Sequence, residues 1–207
     1  MTTIRRLGIY GGTFDPIHFG HLAIVEEARW YCNLDRVLIV PTAVQPLKAG
    51  HLAPAHHRLA MVQLACADNP ALSPSTIELD RPPPSYTIDT LRICREQYGT
   101  DTELYLIIGT DAAAELPAWR EPDQIARLAQ LVVVKRPGYT LELPGLLAAV
   151  PPLHNRITVI DGPQLAISST DLRRRLATGR PVRYQLPDAV YTYIQHHHLY
   201  QTEDRHT

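Results

Sequence analysis

Cysteine is scarce in this chain of 207 residues: Cys32, Cys66 and Cys94 are its three, far apart and odd in number. They form no CxxC pair, which excludes a disulfide framework or a zinc knuckle and fits reduced thiols in a cytoplasmic protein. A surplus of charge is also missing. The formal net charge is −1, with 20 basic and 21 acidic residues. Grip on nucleic acid through bulk charge is therefore not expected. No apolar run is long enough to span a membrane, and the opening Met1-Thr2-Thr3-Ile4-Arg5-Arg6 has no long apolar signal region. Two nucleotide-binding fingerprints are absent as well: the glycines do not fall as GxGxxG, and no Gly-Lys-Ser/Thr follows them. No internal repeat or dividing linker is visible, so residues 1–207 read as one domain.

What is present alternates. Hydrophobic residues make up 45% and charged residues 20%, as in an ordinary globular chain. Apolar runs predict strands at 6–10, 36–40, 75–79, 103–109, 131–135 and 156–160. Between them the patterning predicts helices at about 20–33, 54–68, 87–98, 112–116 and 122–128, and after the last strand at 167–178 and 187–197. Prolines make 42–54 a loop and leave 139–155 without a clear pattern. Strands such as Val37-Leu38-Ile39-Val40 are apolar throughout, as buried parallel strands are. The fold class is α/β, a doubly wound, mainly parallel sheet with helices on both faces. Its carboxyl edge would face a ligand.

The first stretch with chemistry is Tyr10-Gly11-Gly12-Thr13-Phe14-Asp15-Pro16-Ile17-His18-Phe19-Gly20-His21-Leu22. It sits between the first strand and the first helix, where a backbone can cradle phosphate. Gly11 and Gly12 can take positive φ and admit a ligand closely. His18 and His21, three apart, would project from the first helical turn and donate to phosphate oxygens. Asp15 reads as a turn-stabilising side chain. The second stretch is Ile167-Ser168-Ser169-Thr170-Asp171-Leu172-Arg173. Ser168 with Asp171 reads as a capping box, and Arg173 stands one turn in with a fork suited to phosphate. Arg174 and Arg175 read as solvent-facing. So do His56-His57 and His196-His197-His198, because adjacent helical positions face different ways.

The first stretch resembles the GGTFDPxHxGH form of the (H/T)xGH signature of the nucleotidyltransferase superfamily, and the second resembles its ISSTxxR motif, carried in the helical C-terminal part at about 165–200. The resemblance implies a Rossmann-like nucleotidyltransferase fold of the α/β phosphodiesterase type. It implies a site in which Gly11, Gly12, Thr13, Phe14, His18, His21, Gly109, Asp111, Ile167, Ser168, Ser169 and Arg173 bind ATP. His18, His21 and Arg173 would be the catalytic residues, with His21 closest to the reacting phosphate. Attack on the α-phosphorus by a phosphate monoester, largely ionised because its second pKa is about 6, needs no general base. Magnesium is implied as cofactor, held mainly by ATP phosphates and water, with no metal site of protein ligands. Asp111 reads as a partner of ribose or of a metal-bound water.

Further segments resemble bacterial nicotinate-nucleotide adenylyltransferases: Pro41 to Lys48, Arg81 to Thr90, Gly109-Thr110-Asp111 with Trp119-Arg120, Lys135 to Gly138, and Leu186 to Tyr200. The implied partners are ATP and nicotinate mononucleotide, with Lys48, Tyr86, Thr87, Trp119 and Arg136 on the mononucleotide. Trp119 could stack on the pyridine ring or equally be a core residue beside Leu116. Leu47 stands where the family often has histidine. Rival acceptors are nicotinamide mononucleotide and phosphopantetheine. Rival classes are a non-catalytic nucleotide-binding protein and an RNA-recognition protein.

Overall fold

The computed structural model describes residues 4–43, 53–135, 138 and 140–201. Lys48 and Arg136, and position 47, lie outside them. Six strands form the centre: β1 (Arg6–Gly12), β2 (Arg36–Pro41), β3 (Leu72–Pro74), β4 (Glu103–Gly109), β5 (Gln130–Lys135) and β6 (Ile157–Asp161). Their order is β3-β2-β1-β4-β5-β6, and every pairing is parallel. The chain builds outward on one side of β1, then crosses to start β4 on the other. The reversal opens a crevice at the carboxyl ends of β1 and β4, where ligands bind in such sheets.

The strands carry two apolar faces at once. Val37, Ile39, Ile107, Val132 and Val134 pack into one cluster; Leu38, Val40, Leu106, Ile108, Leu131 and Val133 pack into the other. This is the period-two alternation of a sheet covered on both sides. Helices α1 (Phe19–Tyr31), α2 (Ala55–Cys66), α7 (Ser169–Ala177) and α8 (Asp188–His196) cover the first face. Helices α3 (Thr87–Tyr98), α4 (Thr110–Glu115), α5 (Pro122–Leu128) and α6 (Leu143–Ala149) cover the second. All three cysteines are free and buried in these layers.

Three segments differ from the sequence reading. The third strand lies at 72–74, not 75–79: Leu72, Ser73 and Pro74 pair with Val37, Leu38 and Ile39. The Thr76 hydroxyl and carbonyl bond Asp80, winding 77–80 into a turn. Pro74 is tolerated because β3 is an edge strand. The unreadable 139–155 stretch holds α6 and a 3-10 turn at Pro151–Leu153. Gly11 and Gly12 belong to β1, and neither has positive φ; the left-handed residue of the turn is Phe14, at φ 50°.

Candidate active site

The loop after β1 is held from three directions. Arg58 of α2 is 2% exposed and donates to four backbone oxygens. Its Nε meets the Ala53 carbonyl at 3.0 Å, one terminal nitrogen meets Thr13 at 2.8 Å and Thr42 at 2.7 Å, and the other meets Ala43 at 3.2 Å. One guanidinium thus ties the β1 turn to both flanks of the 44–52 segment. Burial lowers its pKa, while Asp15 favours its charged form. Asp15 is 1% exposed. One carboxylate oxygen accepts from the Tyr200 hydroxyl at 2.6 Å and from the Ala53 amide at 3.1 Å. This matches the turn-stabilising part expected of it.

The third tie comes from α7. Arg173 donates to the Asp15 carbonyl at 2.7 Å, and the same nitrogen lies 3.5 Å from the Asp15 carboxylate. The Ser169 hydroxyl donates to the Pro16 carbonyl at 2.9 Å. The structure therefore joins the two distant motifs directly. Ser168 caps α7 by accepting from the Asp171 amide at 3.2 Å. The reciprocal half of the expected capping box is not made, since the Asp171 carboxylate pairs with Arg174 and Arg175. Arg175, 28% exposed at its side chain, is consequently not the solvent-facing residue its neighbour Arg174 is at 71%.

His18 is the N-cap of α1, and His21 is its third residue. The rings stack with centroids 3.7 Å apart, and the Phe14 and His21 rings meet in a T shape with centroids 5.2 Å apart. The His18 backbone amide donates to His21 Nδ1 at 3.3 Å. An Nδ1 that accepts leaves the proton of neutral His21 on Nε2, so Nε2–H is a hydrogen-bond donor. Space beside these rings is tight at two glycines. A Cβ at Gly20 would stand 3.0 Å from the His18 ring, and one at Gly12 would stand 2.9 Å from the Phe14 ring. A Cβ at Gly11 would meet nothing within 4 Å. Gly11 therefore faces open space at the carboxyl end of β1.

Across the crevice, Thr110 and Asp111 open α4 directly after Gly109 ends β4. Tyr86 is the N-cap of α3 and Thr87 its first residue; both are half-buried. The Arg120 guanidinium lies 4.8 Å over the Tyr86 ring. Trp119 is half-buried against the cluster that contains Leu116, with part of its surface exposed. Beneath this region Glu78, 6% exposed, accepts from the Thr90 hydroxyl at 2.8 Å. Burial pushes its carboxyl up, opposed by Thr90 and Arg81.

The buried roles of Arg58, Tyr200 and Glu78 escaped the sequence reading, although Tyr200 closes a segment that carries the family resemblance. Only Arg58 left a signal of burial: it occupies the stripe with Met61, Val62 and Ala65, and a charge on an apolar face implies buried partners. Of the histidine tracts, His56 and His196 to His198 are exposed as expected, while His57 is half-buried. His57 Nδ1 lies 2.9 Å from the Tyr193 hydroxyl, and its ring lies 5.1 Å from that of His197. Packing of α2 on α8 brings the two tracts together.

The glycine turn, the paired histidines and the capped helix meet at one end of the sheet, and residues 9–175 match the Cytidylyltransferase-like family, which makes the chain a nucleotidyltransferase. Relatives named "Probable nicotinate-nucleotide adenylyltransferase" occur in Roseiflexus sp. strain RS-1, 59% identical over 94% of this chain and 98% of that one, and in Herpetosiphon aurantiacus, 49% identical over 95% and 99%. The Plasmodium falciparum nicotinic acid mononucleotide adenylyltransferase complexed with NaAD has the same fold. It superposes with a TM-score of 0.79 at 20% identity, over 95% of this chain and 97% of that chain. The chain belongs to the nicotinate-nucleotide adenylyltransferase family.

Proposed function

We propose that the chain transfers AMP from ATP to nicotinate mononucleotide, giving deamido-NAD and pyrophosphate, by direct attack on the α-phosphorus. The observation that carries this reading is the junction of the two motifs through Arg173 and Ser169 on the Asp15 and Pro16 carbonyls. It sets Arg173 and the α7 N-terminus beside the β1 turn, a pair of cationic and amide-rich edges for one triphosphate.

Gly11 admits the phosphates, Gly12, Thr13 and Phe14 shape the turn, and His18 keeps His21 in the tautomer that donates. His21 Nε2–H then stabilises charge growing on the α-phosphate and the leaving pyrophosphate. Ile167, Ser168 and Ser169 present the opening of α7, and Gly109 and Asp111 lie on the nucleoside side. The acceptor phosphate is ionised at neutral pH, so alignment does the remaining work. For the acceptor, the opening of α3 at Tyr86 and Thr87 offers donors to the nicotinate carboxylate, and Trp119 offers a face to the ring. Lys48 and Arg136 complete the acceptor set.

Magnesium would be carried in by the triphosphate, and Asp111, an acidic side chain in the first turn of α4, would hold one of its waters. When bound, it neutralises charge on the leaving pyrophosphate.

Turnover of ATP with nicotinate mononucleotide, nicotinamide mononucleotide and phosphopantetheine tests the reading. The acid should be used best. Equal or better use of the amide would overturn the choice of acceptor.

A further inference from the structure

We infer that Tyr200 is a positioning residue for the ATP site: it holds the Asp15 carboxylate so that Arg173 stays turned toward the triphosphate. The inference rests on the reading of Arg173 as an ATP ligand. After α8, left-handed residues at His198 (φ 51°) and Tyr200 (φ 64°) fold the chain back over its own helix. Leu199 becomes buried, and the Tyr200 phenol reaches Asp15, 185 positions earlier in the chain. Burial and the neighbouring carboxylate push the phenol pKa far up, so Tyr200 stays protonated and can donate to Asp15.

The geometry makes Asp15 a divider of charge. One oxygen takes the Tyr200 hydroxyl and the Ala53 amide. The other lies 3.5 Å from Arg173, beyond a good hydrogen bond. Arg173 spends one nitrogen on the Asp15 carbonyl and keeps 28% of its side chain exposed. Without the phenol, a carboxylate only 1% exposed has little water to turn to. The closest cation it can take instead is Arg173, and closing that gap would draw the guanidinium away from ATP. The acceptor side, at the opening of α3, lies across the crevice from Asp15 and Tyr200, so acceptor binding should not follow.

The test is a double-mutant cycle on the full chain, read as KM for ATP, KM for the mononucleotide, kcat and melting temperature. Tyr200→Phe should raise KM for ATP by about fivefold to twentyfold, since the lost bond is charge-assisted, with KM for the acceptor unchanged. Its effect should largely vanish in an Arg173→Gln background, because both changes act on one interaction. Replacing Tyr200 with 4-aminophenylalanine, which keeps the ring and a donor, should restore the native KM. Additive effects, an unchanged KM for ATP in Tyr200→Phe, or no restoration by the amino analogue would overturn the inference. If Arg173→Gln alone leaves ATP use intact, the assignment of Arg173 falls first, and the inference falls with it.

Discussion

Arg58→Met is the most informative single change for the architecture of the site. Methionine keeps the length and apolar stem of arginine, so the stripe with Met61 and Val62 remains filled. What disappears is one buried charge with four carbonyl partners at 2.7 to 3.2 Å. Asp15 also loses one of its two neighbouring cations. Removing one member of a buried, hydrogen-bonded charge set costs about 3–5 kcal/mol. In a domain of this size each kcal/mol lowers the melting temperature by about 2–4 °C. The expected fall is therefore about 6–20 °C, read by calorimetry or a dye-based melt. Arg58→Lys should fall between the two, because an ammonium cannot span the same fork of acceptors. A drop under about 2 °C for Arg58→Met would refute the reasoning, since the four carbonyls would then be satisfied without the guanidinium.

His21→Ala should lower kcat by about 10²–10³-fold, the usual cost of one donor at developing charge, with little change in melting temperature. His21→Gln, whose amide can reach the Nε2 position, should retain more activity than His21→Asn; the reverse order would place the working nitrogen at Nδ1. Gly11→Ala should leave stability unchanged or raise it by about 0.4–1 kcal/mol while weakening ATP use, because the new methyl group enters open space on the ligand side. Gly12→Ala should destabilise by about 1–3 kcal/mol, because the methyl group meets the Phe14 ring; equal melts for the two alanine variants would contradict this. His57 has its pKa lowered from the ordinary 6.5 by burial and by His56 and His197. The unfolded chain then binds more protons just below pH 6.5, so stability should fall as pH drops through that value toward the lower folded one. His57→Gln should flatten the pH dependence of the melting temperature between pH 5 and 7.

The fold was legible because its signals are local and repeated. Runs such as Leu38-Ile39-Val40 and Leu131-Val132-Val133-Val134 can be satisfied only between two covered faces, and the clusters there confirm it. The third strand was misplaced because three residues at a sheet edge carry little pattern, and the apolar Ile77 lies in the turn that follows. Of the site, the two motifs could be read because their residues sit close together in sequence. Their junction could not, since it runs through backbone oxygens of Asp15 and Pro16, whose direction depends on the turn. The buried role of Tyr200 was invisible for a related reason. Its bond to Asp15 depends on two left-handed residues after α8, neither of them glycine. The contact of His57 with His197 could not be read because it is created by the packing of α2 on α8.

The central claim is a single displacement at the α-phosphorus, with no enzyme nucleophile between the two nucleotides. Its most direct test is the stereochemistry of transfer from ATP made chiral at the α-phosphorus by sulfur substitution. One displacement predicts inversion of configuration in the thio-substituted deamido-NAD product. Retention would require a covalent nucleotidyl-enzyme and would contradict the account.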